Sequence, residues 1–324
     1  MKGPALMFCG HTDTVGVTGM RDPFTPRSSA TCRLYGRGAQ DMKGGVAAMI
    51  DAARVVAGKG GPASGRLIVA AVVDEEHSSI GADALVASWR ADAGVVTEPT
   101  DLAIAIGHKG FAWIEVDVFG KAAHGSRPAD GVDAIIRLGR VLDAARSARS
   151  RAPVSPAASA HGHGLAACLI RGRRPRELSS YPDRARLTLE RRTLPGEAAS
   201  APIDEAEKII RTLTDEDASF RAAARFVFGT ARVMQLPADH RLPQLLGDAC
   251  AAATSKTAST VGASFWTDAA VLGHARDAVR PVWPGRCRAA LGGGSINVAD
   301  VLACRDVLAE LAVRFGQTAG VAST

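Results

Sequence analysis

The sequence predicts an α/β protein in which a small α+β domain is inserted into a larger domain with a mostly parallel sheet. The first observation is that strand-like apolar runs alternate with helical patterns over residues 5–96, which is typical of a parallel sheet. The second is a later change to strands that alternate polar and apolar residues. We therefore expect residues 1–107 and 234–324 to form one domain and residues 108–233 to form the inserted one.

The first part of the chain supplies strands and helices in turn. Residues 5–9 have the length and apolar character of a strand, and residues 44–57 have the pattern of a buried helix. Residues 66–73 form a near-continuous apolar run of the kind found in a sheet covered on both faces. A helix over residues 82–90 and a strand over 93–96 complete a β-α-β-α-β order.

The middle of the chain has the order β-α-β-β-α-β. The predicted elements are a strand at 113–119, a helix at 131–147, strands at 165–170 and 185–191, a helix at 203–213 and a strand at 220–228. This order is that of the ferredoxin-like arrangement, an antiparallel sheet with helices on one face. Residues 242–253 then have a helical pattern like that of the first part of the chain.

Composition excludes several classes of protein. The chain has 324 residues with 47% hydrophobic and 22% charged residues, which excludes wholesale disorder. No apolar run approaches the roughly 18 residues of a membrane span, and residues 1–10 lack the pattern of a signal peptide. The net charge of +6 comes from scattered arginines with only 5% aromatic residues, which argues against a nucleic-acid surface. Six cysteines without a CxxC pair predict reduced thiols in a cytoplasmic protein.

Four loops carry side chains that can bind a metal, and three of these loops directly follow a predicted strand. The side chains are His11 and Asp13, then Asp41, then Glu75 with Glu76, and finally Glu98. Because open α/β sheets build their sites at the carboxyl ends of strands, we expect these groups to lie close together. Each has a simpler alternative: Asp41 can be a helix N-cap, and the acidic run 74–76 can be a solvated turn.

Taken together, one imidazole and several carboxylates form a set of hard donors. Such a set suits Zn²⁺, Mn²⁺ or Co²⁺, and two neighbouring cations need a carboxylate that bridges them. A glutamate that binds no metal can then act as a general base and later as a proton donor. This combination of groups hydrolyses amide bonds. A dehydrogenase is excluded because no GxGxxG motif follows a predicted strand.

The motifs GHTDT, YGRGAQDMKGG, DEE and TEPT, in this order, resemble the di-zinc acetylornithine deacetylase/succinyl-diaminopimelate desuccinylase family, which includes aminoacylases and glutamate carboxypeptidases. The resemblance extends over nearly the whole chain. It implies that His11 and Glu98 hold one zinc and Glu76 the other, with Asp41 bridging them. It also implies that Asp13 is the catalytic aspartate behind the metal site and that Glu75 is the general acid and base.

The same resemblance implies that the inserted domain is a lid through which two copies dimerise. Its motif GKAAHGSRP supplies His124, which in relatives polarises the scissile carbonyl, often in the partner's active site; a simple surface histidine is the alternative. Arg191 or Arg192 is expected to meet a substrate carboxylate, and Asp268, in GASFWTDAA, matches a cleft motif. The expected partners are a small N-acyl amino acid or peptide and a second copy of the chain, with neither nucleic acid nor membrane.

The chain also departs from the family. The second zinc needs a histidine shortly before the last helix, but residues 291–300 contain none. Asp300 cannot substitute, because residues 298–311 already have the pattern of the terminal helix. Our hypothesis is that residues 276–296 are translated out of frame, since a one-base shift permits a family-like sequence with the missing histidine. Relatives also begin some tens of residues earlier, so the amino terminus is expected to be truncated.

The sequence therefore predicts a metal-dependent hydrolase that cleaves the amide bond of N-acyl amino acids or small peptides. It would use two divalent cations, with Zn²⁺ expected first and Co²⁺ or Mn²⁺ as alternatives. The rival interpretation is a catalytically impaired remnant of the family that retains only a dimerising scaffold. The sequence does not identify the acyl group, the amino acid or the native metal.

Overall fold

A computed structural model describes residues 3–151, 165–172, 179–230, 232–236, 240–274 and 294–317 of the chain. The chain divides into two compact units. The first unit comprises Met1–His108 and Met234–Thr324, and the second comprises Lys109–Val233.

In chain order the elements are β1 (Ala5–His11), β2 (Arg27–Ser28), β3 (Arg33–Tyr35), α1 (Gly44–Gly58), β4 (Arg66–Val72), α2 (Ile80–Ser88), β5 (Ala93–Val96), β6 (Ile104–His108), β7 (Gly110–Phe119), α3 (Ala134–Arg151), β8 (Leu165–Gly172), β9 (Arg184–Thr193), α4 (Ala201–Glu216), β10 (Arg221–Thr230), β11 (Met234–Gln235), α5 (Arg241–Thr254), β12 (Thr260–Ala263), α6 (Ala269–His274), β13 (Ser295–Asn297) and α7 (Val298–Gln317). A turn, Ala39–Lys43, precedes α1, and the backbone angles of Asp41 and Met42 within it are not helical. None of the helices in the described ranges combines the length and the apolar character that crossing a bilayer requires.

A parallel sheet with the strand order β4-β1-β5 forms the centre of the first unit. Strand β1 is buried along its whole length, as expected for the central strand of a sheet covered by helices. Helices α1, α5 and α7 contribute Met49, Leu246 and Leu308 to the same core. The predicted α/β class with a parallel sheet is thus confirmed.

Strand β4 differs from the expectation that it would be buried on both faces. Only Ala70 and Val72 of this strand are buried, and Val73, which follows it, is 52% exposed. In the described part of the chain β4 pairs only with β1, so it forms an edge of the sheet. An edge strand has fewer neighbours to cover its side chains. The apolar run of residues 66–73 alone does not indicate that the strand lies at the edge of the sheet.

Two smaller sheets in the first unit were not predicted. Strand β6 pairs in parallel with β12 and antiparallel with β11, and β3 lies between β2 and β13 in an antiparallel sheet. The expected terminal helix is present as α7. Of the stretch proposed to be out of frame, residues 276–293 lie outside the described residues, and Ser295–Asn297 forms β13.

The second unit is an antiparallel sheet with the order β10-β7-β9-β8. Helices α3 and α4 cover one face, where Leu138, Val116, Leu187 and Phe220 are among the buried core residues. In the register of the sheet, Val116 of β7 lies between Leu187 of β9 and Ala224 of β10. The β-α-β-β-α-β order and the helices on one face confirm the predicted ferredoxin-like arrangement.

Candidate metal centre

The strand ends of the parallel sheet place three of the predicted side chains at one edge. His11 is the last residue of β1, Glu75 lies three residues after the end of β4, and Glu98 lies two residues after the end of β5. Because the three strands are parallel and adjacent, their carboxyl ends meet at the same edge of the sheet. The pairing of the three strands is therefore sufficient to bring these residues together.

Asp41 reaches the same place through a close contact between α1 and the end of β5. It lies in the turn Ala39–Lys43 before α1, and this turn follows Gly38, a residue with the left-handed φ of 79°. Gly45, in the first turn of α1, faces the carbonyl oxygen of Thr97 so closely that a Cβ at this position would collide with it. The glycine thus lets α1 approach the residue that precedes Glu98.

One nitrogen of His11 faces three carboxylates. Its Nε2 lies 3.2 Å from Asp41 Oδ1, 3.8 Å from Glu98 Oε1 and 3.9 Å from Glu75 Oε2. The ligand atoms of His11, Asp41 and Glu98 all lie within 4.8 Å of one another. His11 and Glu98 are buried, whereas Asp41 is half-exposed, so the group opens towards solvent on the side of Asp41.

Asp13 holds both the imidazole and the turn that carries the two glutamates. The Nδ1 of His11 donates to the backbone carbonyl of Asp13 at 3.2 Å, and it lies 3.4 Å from the Asp13 carboxylate. That carboxylate accepts hydrogen bonds from the backbone N–H groups of Glu75 and Glu76, at 3.3 and 3.1 Å. In the neutral imidazole this arrangement leaves the lone pair of Nε2 directed at the carboxylates.

The two adjacent glutamates have different surroundings. Glu75 turns towards His11 and is nearly buried, whereas Glu76 is more exposed and accepts a hydrogen bond from the backbone N–H of Val15 at 3.3 Å. Among the described residues, Glu76 does not belong to the compact group of His11, Asp41 and Glu98. The structure thus separates the two glutamates, as expected for adjacent residues that point in opposite directions.

The cluster carries more negative than positive charge. Burial lowers the pKa of His11, but its hydrogen bond to Asp41 and the charges of Glu75, Asp41 and Asp13 outweigh this effect and raise the pKa to about 9. Burial raises the pKa of Glu98 well above its ordinary value, and the charges of Glu75 and Asp41 raise it further. Burial likewise raises the pKa of Glu75.

These properties fit a divalent cation. In the described structure the buried Oε1 of Glu98 has no hydrogen-bond partner, although it faces the imidazole nitrogen. A cation held between these donors would satisfy that oxygen and offset the repulsion between the carboxylates. The donor set of imidazole nitrogen and carboxylate oxygens suits Zn²⁺ and similar ions.

Asp268 is closed off from solvent. It directly precedes α6 and is 1% exposed, and neither oxygen of its carboxylate has a hydrogen-bond partner in the described structure. Burial raises its pKa to about 6; the Ser79 hydroxyl lies close enough to offset part of this rise, though not in hydrogen-bonding geometry. The expectation that Asp268 contacts substrate does not agree with this burial.

Three of the predicted residues lie in the second unit: His124, Arg191 and its alternative Arg192. His124 is exposed, and its Nδ1 lies 2.9 Å from the hydroxyl of Ser126. Arg191, in contrast, is 3% exposed, and its guanidinium binds the carboxylates of Glu197 and Glu205. Arg191 could meet a substrate carboxylate only by breaking both ion pairs, so the expected contact is not supported by its surroundings.

Arg192, the alternative to Arg191, is partly exposed. It pairs with Glu190 and lies over the ring of Phe111. Of the two neighbouring arginines, it is therefore the one whose side chain reaches solvent.

Sequence reasoning missed two contacts that build the site. The backbone N–H of His11 contacts the sulfur of Met42 at 3.2 Å, and the ammonium of Lys43 donates to the carbonyl oxygen of Thr12 at 2.5 Å. Both residues belong to the AQDMKGG motif, of which only Asp41 was predicted to take part in the site. Their side chains tie the turn before α1 to the end of β1.

Comparison with known proteins agrees with this geometry. Residues 7–314 match peptidase family M20/M25/M40. The chain belongs to this family. The resemblance inferred from the four motifs is thereby confirmed, and the chain is an enzyme of the metallopeptidase and amidohydrolase kind. Members of the family generally bind divalent metal ions and act on small acylated amino acids or peptides.

Individual relatives support the assignment. The chain is 29% identical over 317 residues to an acetylornithine deacetylase of Myxococcus xanthus, covering 96% of this chain and 80% of the relative. It is 41% identical over 135 residues to an acetylornithine deacetylase of Edwardsiella ictaluri, a match that covers 40% of this chain and 34% of the relative. A tripeptidase from Staphylococcus aureus has a similar fold, with a TM-score of 0.80 at 18% identity, covering 97% of this chain and 82% of the other.

Proposed function

We propose that this chain is a deacylase that hydrolyses the amide bond of N-acyl amino acids or small peptides. The observation that carries the proposal is the meeting of Asp41, Glu75 and Glu98 around Nε2 of His11 at one edge of the parallel sheet. The names of the relatives, acetylornithine deacetylases and a tripeptidase, support an amide substrate with an amino-acid part.

The positions of the donors support a proposal for the residues that would hold the cations. His11, Asp41 and Glu98 would hold one divalent ion, Zn²⁺ first and Co²⁺ or Mn²⁺ as alternatives. Asp41, which is half-exposed, is free on one side to bridge to a second ion held by Glu76. When bound, such ions polarise the substrate carbonyl and lower the pKa of water.

Glu75 is the candidate for proton transfer. Its carboxylate faces the centre of the cluster without belonging to the compact group of ligands, and burial raises its pKa. A carboxylate with a raised pKa takes the proton of the attacking water and then gives it to the leaving nitrogen, so that acid and amine are released. Asp13 keeps this glutamate in place through the backbone of the turn.

We propose that the second unit acts as a lid through which two copies of the chain dimerise, and that its His124 contacts the carbonyl oxygen of the substrate. Its imidazole is exposed and therefore accessible to a substrate. Arg192 is the better candidate for a substrate carboxylate, because Arg191 already binds two glutamates.

A second interpretation, the catalytically impaired remnant, rests on a specific observation. Residues 291–300 lack the histidine that the second ion needs in relatives, and Glu76 contacts the backbone of Val15. The number of bound metal ions distinguishes the two interpretations. Close to two Zn²⁺ per chain supports the deacylase, whereas one or none supports the remnant.

The substitution Glu75→Gln tests the proposed mechanism. The amide side chain has nearly the same shape but cannot take up the proton, so we expect hydrolysis of N-acetyl amino acids to fall by roughly 10²-fold or more. Metal content, measured by atomic emission after dialysis, should stay unchanged. Glu310→Gln in α7 is the matched control and should keep full activity. Normal turnover by Glu75→Gln would show that another group transfers the proton.

A further inference from the structure

Lys43 places a positive charge beside the carboxylates of the site, and the proposed chemistry gives this charge no role. Its side chain is exposed, and a lysine at such a position usually keeps its ammonium in water. Here the ammonium donates to the backbone carbonyl oxygen of Thr12 at 2.5 Å. Thr12 lies between His11 and Asp13 in the chain. The contact therefore joins the turn Ala39–Lys43 to the backbone that carries the imidazole.

The path of the Lys43 side chain depends on Gly38. A Cβ on Gly38 would lie 3.0 Å from Nζ and 3.1 Å from Cδ of the lysine, so the side chain runs directly over this glycine. Gly38 also has a left-handed φ, which residues with a side chain rarely adopt. The backbone N–H of Lys43 donates to the carbonyl oxygen of Gly38 at 2.8 Å. The glycine thus leaves the space through which the ammonium reaches Thr12.

The contact closes a ring around the imidazole of His11. On one side, Nε2 lies 3.2 Å from Asp41, which precedes Lys43 by two residues. On the other side, Nδ1 lies 3.2 Å from the carbonyl oxygen of Asp13, the residue after Thr12. The hydrogen bond from Lys43 to Thr12 connects these two sides. It therefore links the partners of both ring nitrogens to each other.

The backbone at Thr12 and Asp13 also determines where the two glutamates lie. The carboxylate of Asp13 accepts hydrogen bonds from the backbone N–H groups of Glu75 and Glu76, at 3.3 and 3.1 Å. A displacement of this backbone would thus move the residue proposed for proton transfer as well as a proposed ligand.

We propose that Lys43 is a positioning residue of the metal site. Its hydrogen bond to Thr12 keeps Asp41 and His11 in the arrangement that binds a divalent cation. The charge of the lysine opposes cation binding, whereas its hydrogen bond favours it. This inference rests on the proposed function, since it requires a cation at His11, Asp41 and Glu98.

The substitution Lys43→Met tests these two effects, because they change the affinity for Zn²⁺ in opposite directions. Loss of the charge alone removes a repulsion and would strengthen binding, but solvent and salt screen an exposed charge. Loss of the hydrogen bond releases Asp41 from its place beside the imidazole and weakens binding. We therefore expect the dissociation constant for Zn²⁺, measured by competition with a chromophoric chelator, to increase by roughly tenfold.

Two further variants and a spectrum complete the experiment. Lys43→Arg keeps a charged donor and should restore most of the affinity. Lys59→Met makes the same change at an exposed position beyond the end of α1 and should leave the affinity unchanged. The visible absorption of the Co²⁺-loaded chain reports the arrangement of ligands around the ion. It should change in Lys43→Met and return to that of the wild type in Lys43→Arg.

An affinity of Lys43→Met that equals or exceeds that of the wild type overturns this inference and leaves the proposed function standing. A weaker affinity without a change in the Co²⁺ spectrum also overturns it, because the lysine then does not position the ligands. The same holds if Lys43→Arg restores neither property, or if Lys43→Met fails to fold and the lysine is thus a structural partner. A wild-type chain that binds no Zn²⁺ overturns the proposed function and this inference with it.

Discussion

In the metal-free protein, the charge of His11 should make the free energy of unfolding fall as the pH rises from 6.5 to 9. The surrounding carboxylates raise the pKa of this imidazole from 6.5 to about 9, despite the opposing effect of burial. A group whose pKa is raised by folding stabilises the fold while it is protonated. Its contribution is therefore complete below pH 6.5 and lost by about pH 9.

The size of the effect follows from the shift. At about 1.36 kcal/mol per pKa unit, a rise from 6.5 to about 9 corresponds to about 3 kcal/mol. Solvent screening reduces this figure little, because His11 is 1% exposed. Three kcal/mol is a large part of the roughly 5–15 kcal/mol that stabilises a typical protein. The metal-free enzyme should thus be distinctly less stable at mildly alkaline pH.

Urea denaturation of chelator-treated protein, at steps between about pH 6 and about pH 9.5, measures this decline. The variant His11→Gln has no imidazole to titrate, so its decline over this window should be smaller by about 3 kcal/mol. His77→Gln removes an exposed histidine of the same unit and serves as the control. An equal decline in His11→Gln and in the wild type would refute the reasoning, because other groups would then carry the pH dependence.

Two further predictions concern packing and charge. Gly45→Ala should lower the free energy of unfolding by about 1–3 kcal/mol and weaken Zn²⁺ binding, because the new Cβ collides with the carbonyl oxygen of Thr97. Calorimetry with and without Zn²⁺ measures both effects. Asp117→Asn, in the second unit, should lower the free energy of unfolding at pH 7 by about 1–2 kcal/mol in a urea titration, because Arg184 and Arg186 lose their shared carboxylate. These arginines hold the pKa of Asp117 below its ordinary 3.8, so the difference between wild type and variant should disappear as the pH falls below that value.

The site could be predicted from the sequence where it depends on strand ends. A short apolar run followed by His11, Glu75 or Glu98 places each of these residues at the carboxyl end of a parallel strand, and adjacent parallel strands share that edge. The prediction needed only the elements and their parallel order. Strand β5, for example, has the predicted bounds.

Other features depend on distances that no local pattern encodes. The burial of Asp268 cannot be read from the sequence, because an aspartate side chain is usually exposed. Arg191 binds Glu205, which lies 14 residues further along the chain, and the alternation of β9 does not identify this partner. Strand β6 was missed because its short run of apolar residues has no clear period.

The two proposed cation positions do not have equal support. The first uses His11, Asp41 and Glu98, which come from three different elements and already lie within 4.8 Å of one another. The second depends on Glu76, which must exchange or share its contact with Val15, and on a histidine that residues 291–300 lack. Asp41 would bind both ions, so a weaker second ion withdraws less electron density from this carboxylate and leaves the first ion better held. An ion at the first position alone would therefore persist in a chain that has lost the second, and the loss of activity would precede the loss of metal binding.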